Sequence, residues 1–466
     1  MALIKVPNTM LQDAPISVLD YADLAVITNC RDPSDPASHL LTQFLNWTPA
    51  LQAAFDAADA QGGGTVVIPK NTVPYYVQDG LVVKSNTTVV FEDWLILADY
   101  NLTGGMFAAN GDNINVYNVM LDGSNIYAGG SGYNGIGVSG KNIKFYGGIV
   151  KQCAAGYDNN INWPGAPVEP GDGGKGIQIE PGNAEAVTVD GVTFSECFMA
   201  MSSFRDFGDV EPYYGIVFNN ITADNCNILL FVRQANGVSR TGLQHTVQLN
   251  NFYAVNCGAL EGALQFSRAS NVLVSNGVVV NDPGAVNTAL IRGNHANSQF
   301  VNIGWYGTAG AAINLDPGTY CIDSSYPVEN NVYELSVWGT VDFIANANVA
   351  TPYPTLDNCS GRVTFTNAPV SAFFGYELRN GTSVFTVSHG TKHATITTNG
   401  SYLGTTLPEN FSELPASNYS IPVFSGNLVR MTAIADTTAS NVSLFVDSAN
   451  GKLSYKDGSG TVHALY

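Results

Sequence analysis

The sequence predicts an all-β chain wound as a right-handed parallel β-helix of about ten coils, with a capping helix at one end and an antiparallel β region at the C-terminus. Three observations carry this prediction: a composition suited to strands and turns, strand-like segments that recur at coil spacing, and a cysteine column that keeps step with them.

The 466 residues include 48 glycines, with 45% hydrophobic and only 12% charged residues. Amphipathic helices need more Glu, Lys and Arg than this, so many short strands joined by turns are expected. No linker-like tract divides the chain, and a repeat architecture suits its length.

The first clear element is the helix from Thr48 to Asp59. Thr48 is placed to cap it, Pro49 suits the first helical position, and Leu51, Ala54, Phe55 and Ala58 share one face. Gln61-Gly62-Gly63-Gly64 stops the helix, and the β-branched strand Thr65-Val66-Val67-Ile68 follows. The helix is expected to cover an open end of the stack, because an exposed parallel edge recruits other strands.

Segments of one type then recur, such as 142–148, 186–191, 215–220, 246–251 and 271–277, each a short strand running into an Asn, Asp or Gly turn. Their last turn residues, Gly148, Gly191, Asn220, Asn251 and Gly277, are 43, 29, 31 and 26 residues apart, the first interval swollen by an insertion. Cys153 follows its turn by five residues, and Cys197, Cys226 and Cys257 follow theirs by six. Such constant offsets put the four sulfurs in one internal ladder, and with no C-x-x-C pair the cysteines are read as buried thiols rather than disulfides or metal ligands. Further coils are read up to 362–366, giving a β-helix over 47–375 that is roughly 50 Å long. After residue 376, Asn450-Gly451 and Asp457-Gly458 signal hairpins, so 376–466 is expected to be a β-rich capping or trimerisation region.

A net charge of −19 argues against nucleic acid as partner, since phosphate binding needs a basic face. No stretch reaches membrane-spanning length and the N-terminus lacks a signal-peptide run, so synthesis in a cytoplasm without membrane insertion is expected. His389 and His393 lack a third ligand nearby, and neither a metal nor a cofactor is expected.

Ser17-Val18-Leu19-Asp20-Tyr21, then Thr48-Pro49-Ala50-Leu51-Gln52-Ala53-Ala54, then Gly62-Gly63-Gly64-Thr65-Val66-Val67-Ile68-Pro69 resemble the lead-in of the pectate-lyase-like superfamily. The match departs from the family at Asn46-Trp47-Thr48, where Asp-Asp or Asp-Asn-Thr is usual, and in the insertion from Leu24 to Asn46. Within that superfamily, the short N-terminus and the final Lys456-Asp457-Gly458-Ser459-Gly460-Thr461-Val462-His463-Ala464-Leu465-Tyr466 resemble phage tailspikes and tail fibres. That resemblance implies a virion protein, a homotrimer of side-by-side β-helices, an N-terminal segment (1–46) whose first 16 residues contact other tail proteins, and host surface polysaccharide as ligand. A non-catalytic adhesin or structural fibre, and a free polysaccharide lyase, are the alternatives. The lyase lacks support from any clear calcium-binding aspartate cluster.

Aligning the strand after each inward turn puts Glu180, Arg205, Arg233, Arg268, Arg292 and Asp316 in one column. Arginines one coil apart would repel by about 3 kcal/mol at an effective dielectric near 20, so the column requires counter-charges. Asp206, Asp209, Glu211 and Glu261 are near in sequence. Two readings stay open: a ladder of ion pairs, or a groove for an acidic sugar, whose carboxylate arginine binds bidentately. The insertion 154–175 carries Tyr157 and Trp163 for sugar stacking and leads into Glu180, which with Asp206 or Asp209 is the expected acid/base pair.

Overall fold

The structure is a computed structural model. It describes residues 14–31, 41–98, 105–124, 134–153, 174–179, 184–204, 214–233, 247–258, 262–281, 289–307, 310–315, 328–339, 342–345 and 356–366, and beyond these the strands at 382–389, 392–399, 420–423, 433–434, 443–447, 453–456 and 462–464, with residues 459 and 461.

The chain is a right-handed parallel β-helix. Its larger parallel sheet takes strands from successive coils, from Gly64–Ile68 and Thr87–Phe91 through Ile114–Asp122 and Lys141–Lys151 to Val332–Gly339 and Ser360–Thr366. The smaller sheet runs from Leu81–Val83 and Gly105–Asn110 to Ala311–Asn314 and Asp342–Ala345. Counting one strand of the smaller sheet per turn, the ten strands on its path from Leu81–Val83 to Asp342–Ala345 give ten coils among the described residues. That agrees with the sequence.

Each long strand of the larger sheet bends at a residue in the left-handed region, where Asn and Gly are tolerated best. The bends are Asn118, Gly147, Gly191, Asn220, Asn251, Asn276 and Asn302. The sequence pattern predicts that each strand ends in this region. Pairing in fact resumes beyond it, Val119 facing Gly148 and Ile221 facing Phe252, so each coil has two limbs of the larger sheet and one strand of the smaller.

A second left-handed column, Gln152, Glu196, Asn225 and Asn256, stands one residue before Cys153, Cys197, Cys226 and Cys257. It turns the chain inward at the same place in each coil. All four sulfurs are buried and free, as is Cys359, and burial pushes the Cys197 thiol well above its ordinary range. The sulfur ladder predicted from spacing is therefore present.

The interior is filled by columns of like-facing side chains. One runs Val66, Val89, Val116, Phe145, Val189, Phe218, Leu249, Val274, Phe300 and Tyr333, each at 0% exposure. Strand stacking makes such columns of touching apolar groups the main source of stability along the solenoid.

The helix Thr48–Ala60 closes one end, burying Ala50, Leu51, Ala54, Phe55 and Ala58, with Phe55 edge-on to Phe107 at 6.1 Å. Gln52 treats the edge strand as a neighbouring strand would: its Oε1 accepts from the Val82 N–H at 2.9 Å and its Nε2 donates to the Val82 carbonyl at 3.1 Å. The expected cap differs in detail. Asn46 Oδ1 accepts the Thr48 N–H at 2.9 Å, while the Thr48 hydroxyl accepts from Gln78 N at 3.0 Å. The insertion before the helix contains the antiparallel pair Val26–Arg31 and Leu41–Asn46.

Past the last coil, Thr382–His389 adds to Ser360–Thr366 in parallel and then pairs antiparallel with Lys392–Asn399. A separate small sheet contains the antiparallel strands Ser443–Asp447, Leu453–Lys456 and Val462–Ala464, on either side of the two predicted turns. No helix among the described residues is long and apolar enough to cross a membrane.

Candidate functional site

Along the smaller sheet, side chains alternate between the core and the outer side. Ile177, Met201, Leu230, Leu264, Ile291 and Ile313 form one inward column. The next residue in each strand faces out, and this outer column reads Val82, Ala108, Gly137, Gln178, Ser202, Phe231, Gln265, Arg292, Asn314.

The character of that column changes along the stack. Val82, Ala108 and Gln178 are half-buried, as the outside of a solenoid should be. From Ser202 onward the outer side is hidden from water although much of it is polar: Ser202, Gln265 and Ser267 are at 0% exposure, Asn294 at 1%, and Arg233, Arg268 and Arg292 at 8–9%. Hiding polar groups costs free energy unless they are bonded, and Arg233, Gln265, Ser267, Arg268, Arg292, Asn294 and Asn314 each engage an interaction partner. Among the described residues the Ser202 hydroxyl has no hydrogen-bond partner.

No Asp or Glu occurs in the strands Met199–Phe204, Ile228–Arg233, Leu264–Ser270, Ala289–Ala296 or Ala311–Asn314 that build this face. The strands therefore contribute positive charge and neutral hydrogen-bonding groups only.

The arginines do not stack in the single column expected. Arg233 faces Phe204 on one side and Ser267 on the other, and Arg292 lies between Gln265 and Asn314. Arg268 sits in a bulge: Phe266 pairs with Gly293 and Ala269 with His295, leaving Ser267 and Arg268 opposite the single residue Asn294. The result is a staggered arrangement over three strands rather than one straight column.

Backbone geometry marks the same spot. Arg268 is at φ 54°. Of 19 non-glycine residues at positive φ, 14 are asparagine, and Arg268 is the only arginine among the described residues. A side chain at Gly293 would collide with the Phe266 carbonyl oxygen, and one at Gly262 would come within 3.0 Å of Arg292 Cβ. Two glycines thus let neighbouring strands close up beside Phe266 and Arg292.

Tyr157, Trp163, Glu180, Arg205, Asp206 and Asp209 lie outside the described residues, as do Glu211, Glu261 and Asp316. The expected site is therefore represented by Arg233, Arg268 and Arg292. Sequence reasoning missed Ser202, Gln265, Ser267, Asn294 and Asn314, which share the face. One signal was available: inward residues fall at 264, 266 and then 269, and that extra residue is the bulge.

No protein-family model and no curated protein matches the chain. Among solved structures, the hyperthermoactive exopolygalacturonase from Thermotoga maritima is 10% identical at a TM-score of 0.52, over 85% of this chain and 96% of that one. Geobacillus virus E2 ORF18 is 14% identical at 0.40, over 98% of this chain and 87% of that one. The tailspike of E. coli bacteriophage HK620, solved with a hexasaccharide, is 14% identical at 0.44, over 76% and 70%. At such identities the likeness is one of fold, and the fold is the parallel β-helix implied by the pectate-lyase-like lead-in.

Proposed function

We propose that this chain is a phage tailspike or tail-fibre protein that binds host surface polysaccharide, capsule or lipopolysaccharide, on the outer side of its smaller sheet. The observation that carries the reading is the run of buried polar residues from Ser202 to Asn314, with arginines at 233, 268 and 292. A bare rod has no use for such a face. A polymer-binding protein does, because a sugar chain offers hydroxyl and acid groups at regular intervals along a rigid ladder of strands. The phage assignment rests on the resemblance of the terminal residues to tailspike and tail-fibre ends.

The proposal includes cleavage, with Glu180 and either Asp206 or Asp209 as acid and base, and Tyr157 and Trp163 stacking on sugar rings. Glycoside hydrolysis is favoured over lyase chemistry, since two carboxyl groups are its whole requirement. Trimerisation is part of the reading as well. On the outer side of the larger sheet's second limb, one column reads Ile149, Thr193, Thr222, Tyr253 and Val278, in which Ile149, Tyr253 and Val278 are 37–50% exposed, with Tyr306 nearby at 41%. A partly apolar column of this kind suits packing against another copy, and light scattering of the purified protein tests it.

The deciding experiment incubates the protein with surface polysaccharides from a bacterial panel, following new reducing ends and the ultraviolet absorbance of unsaturated uronates. Reducing ends without absorbance, abolished by Glu180→Gln or Asp206→Asn, support hydrolysis. Both signals together mean a lyase. Binding without either signal supports a non-catalytic adhesin, and no binding to any glycan overturns the proposal.

A further inference from the structure

We infer that the outer side of the larger sheet's first limb carries a separate glycan subsite, in which an uncharged pyranose ring stacks on Tyr117. This rests on the polysaccharide-binding reading above and adds a neutral-sugar contact on a different sheet from the arginines.

Two outer columns run side by side over the first coils. One reads Thr65, Thr88, Asn115 and Lys144, and the other Val67, Val90, Tyr117 and Tyr146. The Tyr117 and Tyr146 rings are stacked, with centroids 5.2 Å apart and planes 20° apart, so each holds the other upright. Tyr146 covers one face of the Tyr117 ring. The other face is on the side of Val90 and Val67, whose side chains are much shorter, and Tyr117 is 43% exposed. The aromatic stack therefore ends in a free ring face above an apolar floor, fixed before any ligand arrives.

The surroundings match a sugar in kind. A pyranose ring has a C–H face and a rim of hydroxyls, and it needs an apolar surface with a few polar groups along one side. Val67 and Val90 supply the first, and the half-buried Thr65, Thr88 and Asn115 supply the second. Charge selects the class of sugar. Thr65, Val67, Thr88, Val90, Asn115 and Tyr117 carry none, and the next residues in the two columns that do are Lys144 and Asp190, one of each sign. An acidic sugar gains no net attraction there, while a neutral one meets no unpaired charge.

A cross-strand tyrosine pair can also serve only the sheet, or pack against another copy of the chain. Substitution separates the three roles. Tyr117→Val extends the column of Val67 and Val90 with a good strand former and removes the ring, whereas Tyr117→Phe keeps the ring.

The test titrates the full chain with neutral oligosaccharides of glucose, galactose and N-acetylglucosamine, with neutral bacterial surface polysaccharides, and with polygalacturonate oligomers as the acidic control. Calorimetry, saturation-transfer NMR, thermal melting and light scattering are run on wild type and both variants. At least one neutral probe should bind wild type and Tyr117→Phe alike and Tyr117→Val about three- to tenfold more weakly. Saturation should reach the C–H protons of one sugar face in the wild type and be lost in Tyr117→Val. Equal affinity of Tyr117→Val and wild type overturns the inference, whether or not melting falls. A changed oligomeric mass with unchanged affinity also overturns it and marks the face as a contact between copies. Binding of acidic glycans alone overturns it while leaving polysaccharide binding intact, and failure to bind any glycan removes the broader proposal with it.

Discussion

His295 and Tyr333 meet inside the β-helix, ring Nε2 to hydroxyl at 2.7 Å, from strands of different sheets. The other ring nitrogen, Nδ1, lies 3.0 Å from the Gly293 carbonyl, which can only accept, so Nδ1 carries the proton and Nε2 accepts from Tyr333. Both groups are buried, and Phe266 and Phe300 pack against the imidazole at 5.2 and 5.1 Å.

Burial lowers the His295 pKa to about 4, against the opposing effect of its bond to Gly293. The unfolded chain, with an ordinary histidine, takes up a proton before the folded one does. Stability from this group is thus complete above about pH 6.5, declines as pH falls towards 4 and levels off below, a loss of about 3 kcal/mol. Urea midpoints across pH 4–8 should show the decline, and His295→Gln should flatten it.

Gly293→Ala should destabilise the protein by about 2 kcal/mol or more, because Gly293 has φ 91° and its added Cβ would strike the Phe266 carbonyl. The neighbouring Arg292 moves with that backbone. Reduced glycan affinity should accompany the lower urea midpoint.

Ala186→Asn should do the reverse. Ala186 has φ 53° and follows Asn86, Asn113 and Asn142 in a left-handed column. In that column Asn113 donates to Asn86 Oδ1 at 3.1 Å and Asn142 to Asn113 Oδ1 at 2.9 Å. Asparagine tolerates the conformation and extends the amide chain, for a gain of roughly 0.5–1 kcal/mol. A higher melting temperature checks this, with Ala186→Val as the opposing control.

The sulfur ladder should be chemically silent in the folded protein. Cys153, Cys197, Cys226 and Cys257 are at 0–1% exposure, so an alkylating reagent cannot reach their sulfurs without unfolding the coils. Iodoacetamide labelling read by peptide mass should leave all four unmodified until denaturant is added.

Much of the architecture was legible because it repeats. Small buried sulfurs at constant offsets from a turn have one economical explanation, stacking, and the Pro49 helix with its apolar face announced the cap. The bends were misplaced by the same reading, since Asn220 and Asn251 look alike whether a strand ends there or turns and continues. Only the pairing of Ile221 with Phe252 decides the matter.

The candidate site was legible in residue type and not in arrangement. The sequence by itself determined that the chain coils, where its cysteines stack, and that arginines recur on consecutive coils. Tertiary structure alone decided that Arg233 faces Ser267, that Arg292 faces Gln265, and that Arg268 is lifted out of register in a left-handed bulge. The physical reason is that local pattern records which face a residue takes, while register depends on how many residues each turn and bulge consumes. Nor does alternation tell an outer face in contact with water from one that is covered, and on the smaller sheet that distinction separates ordinary surface from the buried arginine face.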